Sequence, residues 1–365
     1  MTIFIRILFA CFIFQISACS NIPQPPLGQE QVTEGEDTKI KDISKILSDH
    51  LREQYSVEKI LRSSHPKSNG CIKGHFMVDP SISSEYQYGI FKPGADYPVW
   101  MRFSNSADKL TDDDAKDFRG LSLKLTKVDG ERLPQPGDEN HTQDFLFLAH
   151  DAFFAANPVE FFDFFDAAFS DNTISFLLTH PRGALNIFLG SKRYKNPLNA
   201  HWNSVTPYAL GPQQNGVYKN VVRYALRTCS VNSGEIPEPP TPDYLSDNLQ
   251  NQLAKGSACL DFFIQKQVDP EKMPVENVLI AWDKELSPFI KVAQIKISKQ
   301  TFTSEAQKNF CENISFNPWH SLVAHRPLGG INRTRKVVMK DISDLRLKEN
   351  KVSRFEPTGD EVFEK

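Results

Sequence analysis

Short apolar runs separated by clusters of Gly, Pro and Asp fill residues 74–150 and restrict the fold more than any other sequence feature. Several runs alternate apolar and polar residues, which is typical of a strand with one buried face, and the intervening clusters are typical of turns. Their spacing predicts an antiparallel meander. We therefore expect a sheet or barrel built from the runs GHFMVDP, YPVWMRFSNS, RGLSLKLTKV and DFLFLAH.

Helical spacing of apolar residues predicts helices elsewhere in the chain, and further apolar runs predict more strands. The predicted helices cover residues 40–61, 157–169 with Asn157 as N-cap, and 332–346. The predicted strands lie in 215–230, 277–283 and 290–298, and residues 246–267 begin as a helix and end as an apolar run. A chain of 365 residues can hold two domains, but it has no internal repeat and no convincing second domain. We expect one α+β body.

The first 18 residues have the pattern of an export signal. A cationic start ends at Arg6, and the apolar run that follows is too short for the roughly 20 residues that cross a membrane. The small residues before Cys19 resemble a bacterial lipobox, so we expect residues 1–18 to be removed and Cys19 to be lipidated. Residues 19–38 are rich in Pro, Gln and Glu, which predicts a tether before a domain at 39–365. The protein is thus expected to be lipid-anchored in the bacterial envelope, on the periplasmic or outer-membrane side.

Charge and cysteine usage exclude some functions. The net charge is −3 with both signs mixed, so no basic field is available for nucleic acid. Cys71, Cys229, Cys259 and Cys311 remain after the N-terminal cysteines are assigned, and in an oxidising compartment they can form two disulfides in three possible pairings. CxxC and HExxH spacings are absent from the sequence, which disfavours zinc.

Two stretches place chemically useful side chains near the predicted sheet. Arg62 and His65 stand three residues apart before a glycine, where an imidazole can act as a general acid or base and an arginine can hold a carboxylate. A loop histidine taken alone is more often a surface or structural residue. Arg102 interrupts an apolar strand, where a charge is costly unless it faces solvent or an anion. Asp117 and Arg119 precede Gly120 in what the sequence predicts to be a turn.

The C-terminal region concentrates cationic side chains beside an apolar helix face. This predicts a buried ligand that carries carboxylates. The cationic or ionisable side chains are those of His320, His325, Arg326, Arg333 and Arg335, and the neutral indole of Trp319 stands beside them. Within the helix, Arg335 and Met339 share one face with Ile331, Val338, Ile342 and Leu345, so a guanidinium lies one turn from a thioether.

In this order the stretches RSSHPKSNG, MRFSNS, DFRG and RTRKVVM resemble the motifs of the catalase superfamily, especially its small bacterial catalase-like haem proteins. The resemblance covers roughly residues 45–346. It implies an antiparallel β-barrel with surrounding helices, haem b between the barrel and a C-terminal helix, and a peroxide or a lipid hydroperoxide as substrate.

The resemblance also implies roles for individual residues. His65 matches the distal histidine that moves the peroxide proton, Ser104 matches the serine that orients it, and Phe153 lies in the Phe-Phe segment beside the haem. Arg62 and Arg102 match the arginines that bind the haem propionates. At the C-terminal helix, Arg335 matches the arginine that stabilises a tyrosinate iron ligand.

Two positions depart from the family pattern. Met339 stands where the family has the tyrosine that ligates iron, so a possible iron ligand here is a soft, neutral thioether. Leu148, Ala149 and His150 stand where a catalytic asparagine is expected, and Asn140 reaches that position only with a gap. Two further interpretations therefore stay open: a binding module that holds haem or lipid without turnover, and a pseudoenzyme whose Phe-filled pocket is empty.

Overall fold

Eight antiparallel strands close into a barrel in the computed structural model, which describes residues 24–56, 58–134 and 139–363. The strands pair in the order β10-β11-β1-β2-β3-β4-β5-β9, and β9 pairs with β10 to close the ring. Strand β6 pairs with the first residues of β9, on the same side of β9 on which β5 pairs with later residues, and β7 and β8 form a separate hairpin. The strands are β1 (Ser68–Val78), β2 (Asp96–Asn105), β3 (Arg119–Leu125), β4 (Gln143–Leu148), β5 (Trp202–Asn203), β6 (Tyr208–Ala209), β7 (Gln213–Gln214), β8 (Val217–Tyr218), β9 (Val221–Thr228), β10 (Ala258–Lys266) and β11 (Ile290–Ile297).

The predicted meander is confirmed, because β1 to β4 pair successively in antiparallel register. Strand β1 begins at Ser68, six residues before the predicted run, with an irregularity between Ser68 and Gly70. A Cβ at Gly70 would lie 2.5 Å from Leu249 Cδ2. Glycine at this position therefore lets a helix pack closely on the strand.

Alternate residues of the strands fill the barrel interior with apolar side chains. Leu121, Leu123 and Leu125 of β3 point inward, whereas Ser122 and Lys124 occupy the other face. Aromatic rings pack edge to face in the centre, with Phe145 and Phe262 at 5.5 Å between ring centroids. The interior is a packed core, so any ligand of the strands must lie on the outer face.

Seven helices of the described chain cover the barrel: α1 (Glu36–Gln54), α2 (Pro158–Phe169), α3 (Thr173–Thr179), α4 (Pro181–Gly190), α5 (Tyr244–Lys255), α6 (Glu305–Asn313) and α7 (Gly330–Glu349). The Asn157 side chain caps α2 as predicted, accepting hydrogen bonds from the backbone N–H groups of Val159 at 3.0 Å and Glu160 at 3.2 Å. Helix α1 begins at Glu36 and ends at Gln54, so its predicted span of 40–61 extends too far at the C-terminus.

The predicted strand at 277–283 is wrong, since residues 278–280 form a turn and the rest of this run is irregular. Their local hydrogen bonds compete with sheet pairing. The Asn277 side chain accepts from the N–H of Leu279 at 3.2 Å, and the Trp282 indole donates to the Pro274 carbonyl oxygen at 3.0 Å. The run has no partner strand, and its apolar side chains pack against other elements: Val278 lies in a cluster with Leu148 of β4, and Trp282 lies in a cluster with Ala209 of β6 and Val221 of β9.

Two disulfides form, Cys71–Cys311 and Cys229–Cys259. The first joins β1 to α6, and the second joins the end of β9 to β10. The sequence alone allows three pairings of the four cysteines. The pairing depends on which cysteines meet in the fold, and the partners are 240 positions apart in the first disulfide and 30 positions apart in the second.

The N-terminal part of the described chain lies on the body. The Gly28 carbonyl oxygen accepts a hydrogen bond from the N–H of Tyr218 at 2.8 Å, and the Gly28 N–H donates to the Gln267 side-chain oxygen at 3.3 Å. Glu30 forms an ion pair with Arg333 at 2.8 Å. Contact with the body thus begins before the predicted domain boundary at residue 39. The predicted signal peptide and Cys19 lie outside the described residues, and no described helix has the length and apolarity needed to span a membrane.

Candidate functional site

His65 lies in the loop before β1 with its ring against β2. Its backbone adopts a left-handed conformation, with φ of 61°, and its Nδ1 is 3.0 Å from Ser104 Oγ. The loop is fixed to β2 at two further points: the N–H of Asn105 donates to the Lys67 carbonyl oxygen at 3.1 Å, and Arg102 Nη2 donates to the Pro66 carbonyl oxygen at 3.1 Å. The structure thus brings together the predicted pair His65 and Ser104.

Gly120 makes room for the imidazole. A Cβ at this position would lie 2.5 Å from both Cε1 and Nδ1 of His65 and 3.0 Å from Ser104 Oγ. Gly120 is the second residue of β3, not part of a turn as predicted, and it pairs with Ser104 across the sheet. A glycine in a strand is typical of close approach by another group, and here that group is the His65 ring.

Leu148 completes the row of residues beside His65. It pairs with Gly120 as Gly120 pairs with Ser104, so these three residues lie side by side on the outer face of the barrel. Leu148 is buried among apolar side chains that include Phe153. In the sequence, two other residues lie near the position where the family pattern has an asparagine: Asn140 is exposed, and His150 is half-buried against Phe118. The position next to His65 and Ser104 is therefore apolar.

His65 is neutral at physiological pH. The pKa of its imidazole is lowered to about 4, chiefly by burial; the negative charge of Asp117 and the backbone of Asn105 oppose this shift, and the positive charges of Arg102 and Arg335 add to it. Asp117 is engaged by the backbone N–H groups of Ser106 and Ala107, at 2.6 and 3.1 Å. A neutral imidazole that is half-buried can accept a proton from a substrate.

Three arginines converge on Glu312 at the other side of the His65 loop. Arg346 Nη1 donates to Glu312 Oε1 at 2.9 Å, and Arg62 Nε and Arg102 Nη2 lie 3.8 and 3.9 Å from Glu312 Oε2. Arg62 Nη2 also donates to the carbonyl oxygens of Glu312 at 2.9 Å and Ile314 at 2.7 Å. We call Arg62, Arg102 and Arg346 the arginine cluster.

The arginine cluster retains unused donors. Arg62 Nε, Arg102 Nε and Arg346 Nη2 are buried and have no hydrogen-bond partner in the described part of the chain. Burial and repulsion from Arg62 lower the pKa values of Arg102 and Arg346 to about 9, so both remain protonated at neutral pH. Sequence reasoning missed Arg346, although it follows Met339 by two helical turns.

Arg335 and Met339 lie on α7 as predicted. Arg335 Nη1 donates to Thr206 Oγ1 at 3.0 Å and to Asn332 Oδ1 at 3.3 Å, and its guanidinium carbon lies 6.0 Å from the centre of the Phe153 ring. Burial lowers the pKa of Arg335, and no carboxylate of the described chain forms an ion pair with it. Met339 follows one turn later and is half-buried.

The remaining cationic residues of the C-terminal region do not join this site. Arg333 forms ion pairs with Glu30, Glu36 and Glu276 in a separate, largely buried group of charges. His325 lies in the barrel interior, where its Nδ1 is 3.1 Å from the hydroxyl of Tyr224.

His320 belongs to a separate buried ionic network. Its Nδ1 lies 3.0 Å from Asp144 Oδ2, and Lys124 Nζ donates to both carboxylate oxygens of Asp144, at 2.8 and 2.9 Å. Glu139 also accepts from Lys124. The lysine ammonium already occupies the centre of this group of possible metal ligands.

Comparison with known proteins identifies the fold. No protein-family model and no curated protein matches the sequence. Solved catalases match the structure: a fungal catalase (TM-score 0.60, 18% identity), a bacterial catalase (0.61, 16%) and catalase A from Saccharomyces cerevisiae (0.60, 18%). The alignments cover 93%, 90% and 93% of this chain but 67%, 64% and 69% of the catalases, so the chain spans about two thirds of their length. The chain therefore has the catalase-like α+β fold, with an eight-stranded antiparallel barrel.

Proposed function

We propose that the protein binds haem b between the outer face of the barrel and α7, and that it acts on a peroxide or an organic hydroperoxide. The observation that carries the proposal is the placement of His65 against Ser104 over Gly120. This arrangement keeps a neutral imidazole beside the predicted haem position. Similarity to catalases supports the proposal at the level of fold.

The side chains present fit haem at two of its three contact regions. The arginine cluster offers buried guanidinium donors that suit the carboxylates of the propionates. On the distal side, His65 and Ser104 supply an acid–base group and its support. On the proximal side, Met339 offers a neutral thioether, so Arg335 lacks the anionic partner that the family pattern would give it.

His65 carries the proton transfer in this proposal. Ser104 Oγ lies 3.5 Å from the carbonyl oxygen of Gly120, which can only accept a hydrogen bond. If the hydroxyl donates to this carbonyl, its oxygen accepts from Nδ1–H of His65, and Nε2 carries the free lone pair. His65 Nε2 then takes the peroxide proton and returns it to the leaving oxygen, while bound haem would supply the redox-active iron.

We expect slower peroxide turnover than in a catalase that has both the catalytic asparagine and the tyrosine iron ligand of the family pattern. Leu148 cannot hydrogen-bond to a peroxide beside His65. A thioether ligand generally raises the reduction potential of haem and donates less electron density to iron than an anionic oxygen does. Both changes weaken the cleavage of an O–O bond but leave the binding of an apolar hydroperoxide possible.

Leu148 and Met339 also favour a second candidate function, a haem-binding module without turnover. In that case the protein captures haem stoichiometrically and peroxide is not consumed over time. Peroxide loss measured with wild type and His65→Ala at equal haem content separates the two functions. The enzyme proposal expects consumption that falls at least about tenfold in His65→Ala, in line with the contribution of general acid–base catalysis. Equal rates in the two proteins would contradict it.

The proposed location is the bacterial envelope, with attachment through lipidated Cys19. The two disulfides support an oxidising compartment. Helices α3 and α4 also carry exposed apolar side chains in a region where the sequence has no Asp or Glu from residue 172 to 234, as suits the surface of an anionic bilayer. These side chains are Ile174, Leu178, Leu185, Phe188 and Leu189.

A further inference from the structure

We propose that Glu312 is a built-in carboxylate that fills one position of the arginine cluster and competes there with a carboxylate of any ligand. For haem as ligand, the inference rests on the proposed function above. For carboxylates as a chemical class, it rests on the arginine cluster alone.

The charges of the cluster are unbalanced. Arg102 and Arg346 are 3% and 2% exposed, and together with Arg62 they bring three positive charges to one carboxylate. Each of the three guanidinium groups also keeps one buried N–H group that has no hydrogen-bond partner among the described residues. Buried cations are stable when an anion and hydrogen bonds compensate them, so this site has the capacity for a further carboxylate.

The chain holds Glu312 at the cluster from two sides. Cys311, the preceding residue, forms a disulfide with Cys71, which lies opposite Arg102 in the register of β1 and β2. Arg62 donates to carbonyl oxygens at the end of α6, which fixes the backbone of Glu312. The backbone of residue 312 is therefore anchored independently of its side chain.

The Glu312 side chain is nevertheless able to leave. Its side chain is 16% exposed, and of its two oxygens only Oε1 forms a short contact, the 2.9 Å bond to Arg346. The contacts of Oε2 with Arg62 and Arg102 are 3.8 and 3.9 Å long. A ligand carboxylate that makes short bonds to these two arginines can displace Glu312 without moving α6.

Chemical rescue tests the carboxylate site without haem. Glu312→Ala leaves a space for a free carboxylate and removes one negative charge from among three arginines. We expect its Tm to fall by several degrees and to recover in sodium propionate more than in sodium chloride of equal ionic strength. Glu305→Ala is the matched control, because Glu305 lies on the same helix, is exposed and forms an exposed ion pair with Lys308.

The variant Glu312→Gln guards against failure of the alanine variant to fold. It keeps the size of the side chain and lacks the charge, so its Tm should also fall below that of the wild type. A wild-type Tm for Glu312→Gln overturns the inference. So does a propionate effect on Glu312→Ala that is no larger than the effect on Glu305→Ala.

Haem titrations test the competition directly. The affinity of Glu312→Gln for haem should exceed that of the wild type by about tenfold, the equivalent of one charged hydrogen bond, whereas the two proteins should bind haem dimethyl ester equally. Equal haem affinities overturn competition by Glu312. If no variant binds haem, the proposed function fails, and the propionate experiment still decides whether Glu312 fills a carboxylate site.

Discussion

The ring of His65 lies over the α-carbon of Gly120, where any side chain would meet Cε1 and Nδ1 at 2.5 Å. The two residues are 55 positions apart and belong to a loop and to a strand. Their contact holds the imidazole beside Ser104, and it explains why a glycine stands in a strand that otherwise pairs regularly with both neighbours.

Gly120→Ala should displace His65. The added Cβ overlaps the ring and Ser104 Oγ, so we expect a loss of about 1–3 kcal/mol in the free energy of unfolding and a fall in peroxide turnover. Gly256→Ala is a suitable control, since nothing lies within 4 Å of its Cβ position and its φ is not positive. Urea unfolding of both variants measures the difference. Equal stability of the two would mean that the His65 ring is not held against β3.

Acid should destabilise the protein partly through His65. The imidazole has a pKa of about 4 in the folded state against an ordinary value of 6.5, so between these values the unfolded state binds the proton and the folded state does not. The free energy of unfolding therefore falls as pH falls from 6.5 to 4, and His65 contributes no change above that window. His325, with a pKa of about 3, acts in the same direction.

Denaturant unfolding of wild type and His65→Gln at about pH 7.5 and about pH 5 measures this contribution. The variant should lose less stability between the two pH values than the wild type, and His325 remains in both proteins as a common background. An equal loss would show that His65 has an ordinary pKa in the folded state.

Leu148→Asn should raise peroxide turnover if haem is bound. The amide would lie in the row of Ser104 and Gly120 and could hydrogen-bond to a substrate beside His65. Burying it costs about 1–3 kcal/mol of stability. Leu146→Asn is the matched control, because both leucines are 8% exposed and Leu146 lies in the row of Arg102, away from His65. Turnover per bound haem that is unchanged in both variants would argue against a distal role for position 148.

Cys19→Ser should release the protein from membranes. In a bacterium that processes lipoproteins, the wild-type chain should incorporate an alkyne-labelled fatty acid and fractionate with membranes, and the variant should do neither. Cys229→Ser changes a disulfide cysteine and should keep the label, which makes it the control. Absence of label from the wild type would contradict lipid attachment.

Much of the fold follows from local sequence patterns. The short apolar runs of β2 to β4, the Asn157 cap and the apolar stripe of α7 each depend on residues close in the chain, and the structure confirms them. The run 277–283 is the exception. The Asn277 side chain accepts a hydrogen bond and the Trp282 side chain donates one, and these bonds cannot be read from the periodicity of apolar residues.

The candidate site was only partly predictable for the same reason. Arg62 and Arg102 were identified from motifs, but the convergence of Arg346 and Glu312 on them depends on the packing of α6 and α7 against the barrel. Gly120 also looked like a turn residue, because its role arises from a contact with a distant loop. Such contacts have no periodic signal in the sequence.

The absorption spectrum of the purified full-length chain titrated with haem tests the central claim most directly, with Met339→Ala and Met339→Tyr measured beside it. We predict saturable binding of one haem with a Soret band that shifts or disappears in Met339→Ala. In Met339→Tyr, an anionic ligand facing Arg335 should give a tyrosinate-type spectrum. A chain that shows no saturable Soret band in any of the three proteins would contradict the account.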